Sequence, residues 1–365
     1  MKYRDKNPAQ PRTASQLGRF GVIAWSIVLT GSACSAPAAI DTNYGLRGSL
    51  VGVGNSSMSG LVSAWNEAWR GPNPAVSVAF SPDGGAVGLD ALAREQTHFA
   101  TTTMPGSVEL PASSGQLCGQ AGPLILPAAL LPVGVAYNLP GIRSVRLNAA
   151  ILAGMFEKKI TRWNDPLILQ ENPGTTLPDL EVKPLLSDKD KDVTEAVTEY
   201  LSQEAGDEWA HGITTEWPDT VDVQDKTKPL ELDNTVGGLA VLDRGIIGSR
   251  YSTASLQFDG SYQSFSPDSV LAAIEAGETT LRGPGSLEQE LDGQAGYALA
   301  VKEYVVFCRE YSHAQTAGLV SSWGQSVFSE TGQRNANIFA SALPPSRKTT
   351  EQAKELVANI AEGTE

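Results

Sequence analysis

Cysteine and histidine are scarce in this chain, three of each in 365 residues. His98, His211 and His313 have no metal-ligand spacing and read as packed or solvated side chains. Basic residues are short as well: 27 Lys and Arg stand against 41 Asp and Glu, a formal net charge of −14. The shortage is deeper than the total suggests. Lys2, Arg4, Lys6, Arg12 and Arg19 fall within residues 1–33, where Asp5 is the one acid, so that segment carries 5 − 1 = +4 and the remainder −14 − 4 = −18. A chain this acidic repels nucleic acid and anionic head groups at long range, which argues against a nucleic-acid partner. No G-x-S-x-G nucleophile elbow is present, and "GVGNSS" falls short of a dinucleotide fingerprint because Ser57 stands where its third glycine belongs. Neither an enzyme activity nor a cofactor is expected. The apolar run Phe20 to Leu29 is too short for a spanning helix, which takes about 20 apolar residues.

What that run does resemble is a signal. A basic start, the apolar stretch "FGVIAWSIVLT" and the small residues Gly31, Ser32 and Ala33 lead to Cys34. The arrangement resembles a bacterial lipoprotein signal, with Cys34 the lipid anchor, although Gly31 replaces the usual leucine three places before it. An ordinary signal peptide followed by a coincidental cysteine is the alternative. The expectation is a signal over 1–33, a linker over 34–47, and an extracytoplasmic chain tethered to the cytoplasmic membrane. Cys118 and Cys308 then remain, either as a disulfide or as two buried thiols.

The rest has 41% apolar and 19% charged residues over the whole chain, enough for a sizeable core. "SLVGVG" reads as a strand, and Met58, Leu61, Val62, Trp65 and Trp69 fall on one helical face. "AVSVAFS" alternates as a strand, "AVGLDALAR" is helical, and "THFATTT" is strand-like again. Strands alternating with helices indicate α/β layers with a mainly parallel sheet. "GGLAVLDRGIIGSRY" is read as helix, turn and strand, and "TTEQAKELVANIAEG" as a last amphipathic helix. Two long apolar runs, 128–141 and 295–307, are candidate crossings between two lobes. Most tryptophans read as core residues rather than stacking platforms.

In order along the chain stand "VGVGNSS", "DGGAVGLDAL", "HFATTTMP", "VGVAYNLPGI", "MFEKKITRWNDP", "ENPGTTLP" and "GIIGSRYSTAS". This series resembles the phosphate-binding subunits of bacterial phosphate ABC importers over roughly residues 48–361. The resemblance implies the α/β fold of type II periplasmic binding proteins: two lobes, each a mainly parallel sheet flanked by helices, joined by two crossings. Lobe I would hold 48–134 and 304–361, lobe II 135–303. It implies a monomer that captures a small anion or other small molecule in the cleft and delivers it to an ABC permease.

The ligand elements of that family are only partly present. Ser56 and Ser57 occupy the first phosphate-facing loop, and Gly84 and Gly85 keep the glycine pair of the second, but Pro82 replaces its serine and Asp83 adds negative charge. Thr103 stands where the family has an aspartate. The family arginine aligns with Ser187, or with Leu186 after a one-residue slip, while Lys191 and Asp192 fall at its Ser-Gly and Val193 at its threonine. The candidate ligand residues are therefore Ser56, Ser57, Gly84, Gly85, Thr103 and Ser187, with weak phosphate binding expected, or a cell-envelope interaction or regulatory role after its loss. Arg143, Arg146 or Arg162 could supply a guanidinium from elsewhere.

The acidic stretch "LLSDKDKDVTEAVTEYL" (185–201) runs into a helix whose apolar stripe is Val193, Ala196, Val197, Tyr200 and Leu201. Asp192 and Glu195 fit the N-cap and N3 places of a capping box, so the helix is expected to cap itself. Asp188, Asp190, Asp192 and Glu199 also match four ligand places of a calcium loop, but Val193 stands where that loop needs glycine, and no metal site is expected.

Overall fold

Alternation in "RGSLVGV" makes β1 (Arg47–Val53), and the apolar stripe beginning at Met58 makes α1 (Met58–Arg70). Met58, Leu61, Val62, Trp65 and Trp69 are all buried on one side of that helix. β2 (Ala75–Ser81), α2 (Gly85–Ala93) and β3 (Phe99–Thr102) follow, with β2 and β3 parallel to β1 on either side of it. The loops leaving β1, β2 and β3 therefore gather at one edge of the sheet, where ligands of open α/β sheets bind. The computed structural model describes residues 45–103, 117–223 and 231–363. The signal segment, Cys34 and most of the linker lie outside the described residues.

β4 (Pro123–Tyr137) is a 15-residue strand at the middle of the sheet. It runs antiparallel to a second long strand, Ala300–Cys308, which in turn pairs antiparallel with β3. The pairing of the two long strands shifts where Glu303 faces Ala129 and Tyr304 faces Pro127, leaving Ala128 as the extra residue of a bulge. Pro127 has no N–H to donate, so a bulge is where a central strand can carry it. The Ala128 carbonyl is recovered by Gln333, whose amide donates to it at 3.0 Å.

On its far half, β4 pairs antiparallel with Gly238–Asp243 and Ser252–Thr253, giving a sheet of ten strands among the described residues. Two sequence expectations change here. "GGLAVLD" forms a strand rather than a helix, followed by the single helical turn Arg244–Ile247. A short apolar run does not distinguish the two by pattern, and the open edge of β4 decides it. The sheet is mixed: parallel among β2, β1 and β3, antiparallel between the two long strands and where they meet β3 and Gly238–Asp243, and parallel again where Ser286–Gln289 meets β4.

The fold is two-lobed α/β. One large apolar cluster packs α1 and the C-terminal helices on the sheet, with Trp65, Trp69, Phe99, Phe307, Trp323 and Phe328 fully buried. The other gathers around Phe156, Trp163, Tyr200, Trp209 and Tyr297. β4 feeds both, through Leu124 and Leu126 at one end and Val133, Val135 and Tyr137 at the other. Cys118 and Cys308 are joined in a disulfide that links positions 190 residues apart.

Candidate ligand cleft

The loops after β1, β2 and β3 form one wall of a cleft of about 1060 Å³, and the start of the helix Lys191–Glu204, with Thr215 and Asp243, forms the other. Ser56, Ser57, Gly84, Gly85 and Thr103 all line it. Gly84 has φ +104°, a left-handed backbone that suits glycine, and a Cβ on Gly85 would come within 2.6 Å of the Asn55 side-chain oxygen. The second loop can thus press against the first. Ser187 is not among the lining residues: its hydroxyl accepts from the Lys189 N–H at 3.1 Å and its carbonyl accepts from the Trp217 indole at 3.0 Å.

Side chains of the two walls are bonded to each other. The Ser57 hydroxyl donates to Asp192 Oδ2 at 2.6 Å, and the Asn55 amide donates to Asp192 Oδ1 at 3.3 Å. Thr103 donates to Glu195 Oε2 at 3.2 Å. The expected self-capping is absent, because the helix begins two residues earlier than its stripe suggests. Asp190 is the N-cap and makes no side-chain cap bond, while Asp192 lies in the first turn and turns toward Ser57 and Asn55. The donors that would face an anion therefore hold one of the protein's own carboxylates.

Beneath this contact lies a residue that the sequence did not single out. Glu303 is fully buried, and neither of its carboxylate oxygens has a hydrogen bond. Ser57 gives its proton to Asp192 and is only close enough to offset part of the cost. Burial, then the charge of Asp192, push the Glu303 carboxyl up to about 8. Asp192 itself is raised, by burial first, with the Ser57 bond opposing and Asp190 adding. Asp190 is raised by partial burial and then by Asp243, with Lys189 opposing.

The cleft is acidic overall. Asp83, Asp190, Asp192, Glu195 and Asp243 line it against two cations, Lys189 and Lys191, and Lys191 is already paired with Glu216 at 2.9 Å. Arg143, Arg146 and Arg162 are not among its lining residues. Arg162 pairs with Asp179 at the surface, and Arg146 lies over the Tyr262 ring. Among the described residues no group of three or more acidic, histidine or cysteine side chains is placed to hold a metal ion. The calcium-loop spacing of 188–199 is interrupted by the helix that starts at Lys191.

With this geometry in place, comparison with known proteins is direct. Residues 36–331 match the family described as the PBP superfamily domain. The chain belongs to that family. Among curated relatives of this PBP-superfamily chain, Phosphate-binding protein PstS 3 of Mycobacterium leprae is 23% identical over 312 residues, 81% of this chain and 83% of the relative. Phosphate-binding protein PstS 2 of Mycobacterium tuberculosis is 24% identical over 289 residues, 74% and 76% of the two chains. A solved phosphate-binding protein from Stenotrophomonas maltophilia superposes with a TM-score of 0.58 at 17% identity, covering 85% of this chain and 94% of that one. At that identity the superposition shows the type II periplasmic-binding fold alone.

Asn55 and Asp243 in the lining, and Glu303 buried behind it, escaped the sequence reading. Asn55 sits one place before the two serines. Glu303 had a signal in principle: a Lys-Glu pair inside the otherwise apolar "AGYALAVKEYVVF".

Proposed function

We propose that this chain is the extracytoplasmic solute-binding component of an ABC importer of the phosphate-receptor class, anchored by a lipid on Cys34. It binds a solute and hands it to a permease, without catalysis. Supporting the class are the family match and the names of the relatives, phosphate-binding proteins that this chain parallels over most of their length. Export is supported by the Cys118–Cys308 disulfide, since such bonds persist in oxidising compartments. Lobe I is assigned to 48–134 with 304–361 and lobe II to 135–303, on the support that β4 and Ala300–Cys308 contribute to both apolar clusters.

One observation carries the ligand reading: Ser57 and Asn55 are bonded to Asp192, with Glu303 buried behind them. A phosphate dianion entering there would lose those donors to a competitor already in place and meet like charge. Two charges about 4 Å apart repel by ~1 kcal/mol in water and by several times that where water is partly excluded. The family member has therefore moved away from tight binding of free phosphate. Calorimetric titration of the purified protein with inorganic phosphate at pH 7 tests this, with weak or unsaturable binding expected. Tight, saturable binding would sink the ligand reading.

A further inference from the structure

The cleft has a chemical character of its own, independent of what it fails to offer phosphate. Five carboxylates line it against two lysines, and no arginine or aromatic ring is among the described lining residues. Glu303, fully buried and not itself a lining residue, adds a further carboxyl behind Ser57 and Asp192. Val301 lines the cleft, and Glu303, two residues along the same strand, points to the same face. Ser57 and Asp192, both at the cleft surface, act on its carboxyl, but the Ser57 proton is given to Asp192, and among the described residues neither Glu303 oxygen has a donor in hydrogen-bond geometry. Other buried polar atoms also lack hydrogen-bond partners among the described residues, the Trp65 and Trp323 indoles and the Tyr297 hydroxyl among them. Glu303, however, is the fully buried carboxyl beside the cleft, and an unpaired carboxyl costs more than a neutral group. A ligand that takes over Asp192 frees the Ser57 hydroxyl to become the donor that Glu303 lacks.

We propose that this cleft binds a small organic cation carrying N–H donors, a primary ammonium or guanidinium, between Asp192 and the buried Glu303. The inference rests on the solute-receptor reading above and names the solute class. The absence of aromatic rings disfavours a quaternary ammonium, which is held by ring faces rather than by hydrogen bonds. A bare metal ion is disfavoured because no three ligating side chains converge among the described residues. The volume of about 1060 Å³ also exceeds what one ion needs. Asn55, Ser56, Ser57 and Thr103 supply neutral oxygen acceptors around the same space.

Entry of the cation rearranges bonds without leaving one unmade. Asp192 exchanges the Ser57 hydroxyl for a ligand N–H, and the released Ser57 hydroxyl donates to Glu303. The incoming positive charge favours the ionised form of Glu303, so binding expels a proton into solvent. Asp192 is the charged side chain that acts on Glu303 from the facing helix, and its own carboxyl is raised in the same sense, so the two changes do not cancel.

The experiment is calorimetric titration of the purified protein with 1,4-diaminobutane, and separately with inorganic phosphate, at pH 6 and pH 8. Saturable diamine binding is expected, stronger at pH 8. The measured heat should depend on the ionisation heat of the buffer in the direction of proton release. Glu303→Gln and Asp192→Asn should each weaken binding by about tenfold or more. Lack of saturable diamine binding at millimolar concentration overturns the inference, as does binding that both substitutions leave unchanged. Should either variant fail to fold, the wild-type protein decides: diamine binding without proton release removes Glu303 from the site. Failure with the diamine together with weak phosphate binding overturns this inference alone, whereas tight phosphate binding overturns the ligand reading on which it rests.

Discussion

The strand Ala300–Cys308 can be compared with itself. At its C-terminal end, Phe307 packs against Trp323 and Phe99, and Cys308 is tied covalently to Cys118. In its middle, Glu303 is as deeply buried as Phe307 but has neither an apolar contact to suit it nor a donor for its oxygens. The first region buries ring against ring, and its one unpaired polar atom among those named, the Trp323 indole nitrogen, is neutral. The second keeps a carboxyl with no partner in hydrogen-bond geometry among the described residues. Burial at equal depth thus serves stability at one place and, on the proposal above, ligand binding at the other, and the bulge at Ala128 lies between them.

The comparison breaks if the packed end is not the main source of stability. Trp323 is fully buried within 4.2 Å, centroid to centroid, of Phe99, so Trp323→Ala should cost about 3–5 kcal/mol in denaturant unfolding. A loss under 1 kcal/mol would mean that this core is far less closely packed than its ring contacts indicate. Next in size is the disulfide. Replacing Cys118 and Cys308 together by serine removes a cross-link over a long loop and should cost about 2–5 kcal/mol, with ligand affinity unchanged because the bond is remote from the cleft lining.

The third expectation sharpens the other half. Because the folded-state carboxyl of Glu303 is raised to about 8, the native state holds a proton that the unfolded chain has already lost above the ordinary glutamate range. Stability should therefore be greatest at low pH within that window and fall as pH rises toward 8, by up to about 1.4 kcal/mol per pH unit from this group. Glu303→Gln should flatten the slope in unfolding curves recorded from pH 5 to 8.5, and an unchanged slope would show that the group does not titrate in this window. Smallest of all, Lys191→Ala removes a pair with Glu216 in which both side chains are more than half exposed. It should change the unfolding free energy by no more than about 1 kcal/mol. A larger loss would show that the acidic cleft needs this lysine to hold its shape.

Much of the fold was legible because repeating patterns report it. α1, β2 and the last helix follow from the spacing of apolar side chains, and the two long apolar runs overlap the two long strands, β4 and Ala300–Cys308. The strand Gly238–Asp243 was not legible, since its identity depends on the free edge of β4, a partner more than a hundred residues away in sequence. In the cleft, the serine and glycine loops were legible as local motifs. Asp192 was seen but given the wrong partner, because capping is a local bond while the bond to Ser57 joins positions 135 apart. Glu303 was invisible for a related reason: a charged residue in a strand reads as solvent-facing until a second wall covers it.

β4 sends Leu124 and Leu126 into one apolar cluster and Val135 and Tyr137 into the other. Neither half of the molecule can be excised without stripping the strand of half its packing, so a fragment would expose a long apolar edge ready to pair with other chains. For expression and domain-truncation work, residues 45–365 are the unit to keep whole. Its melting should register as one cooperative event rather than two.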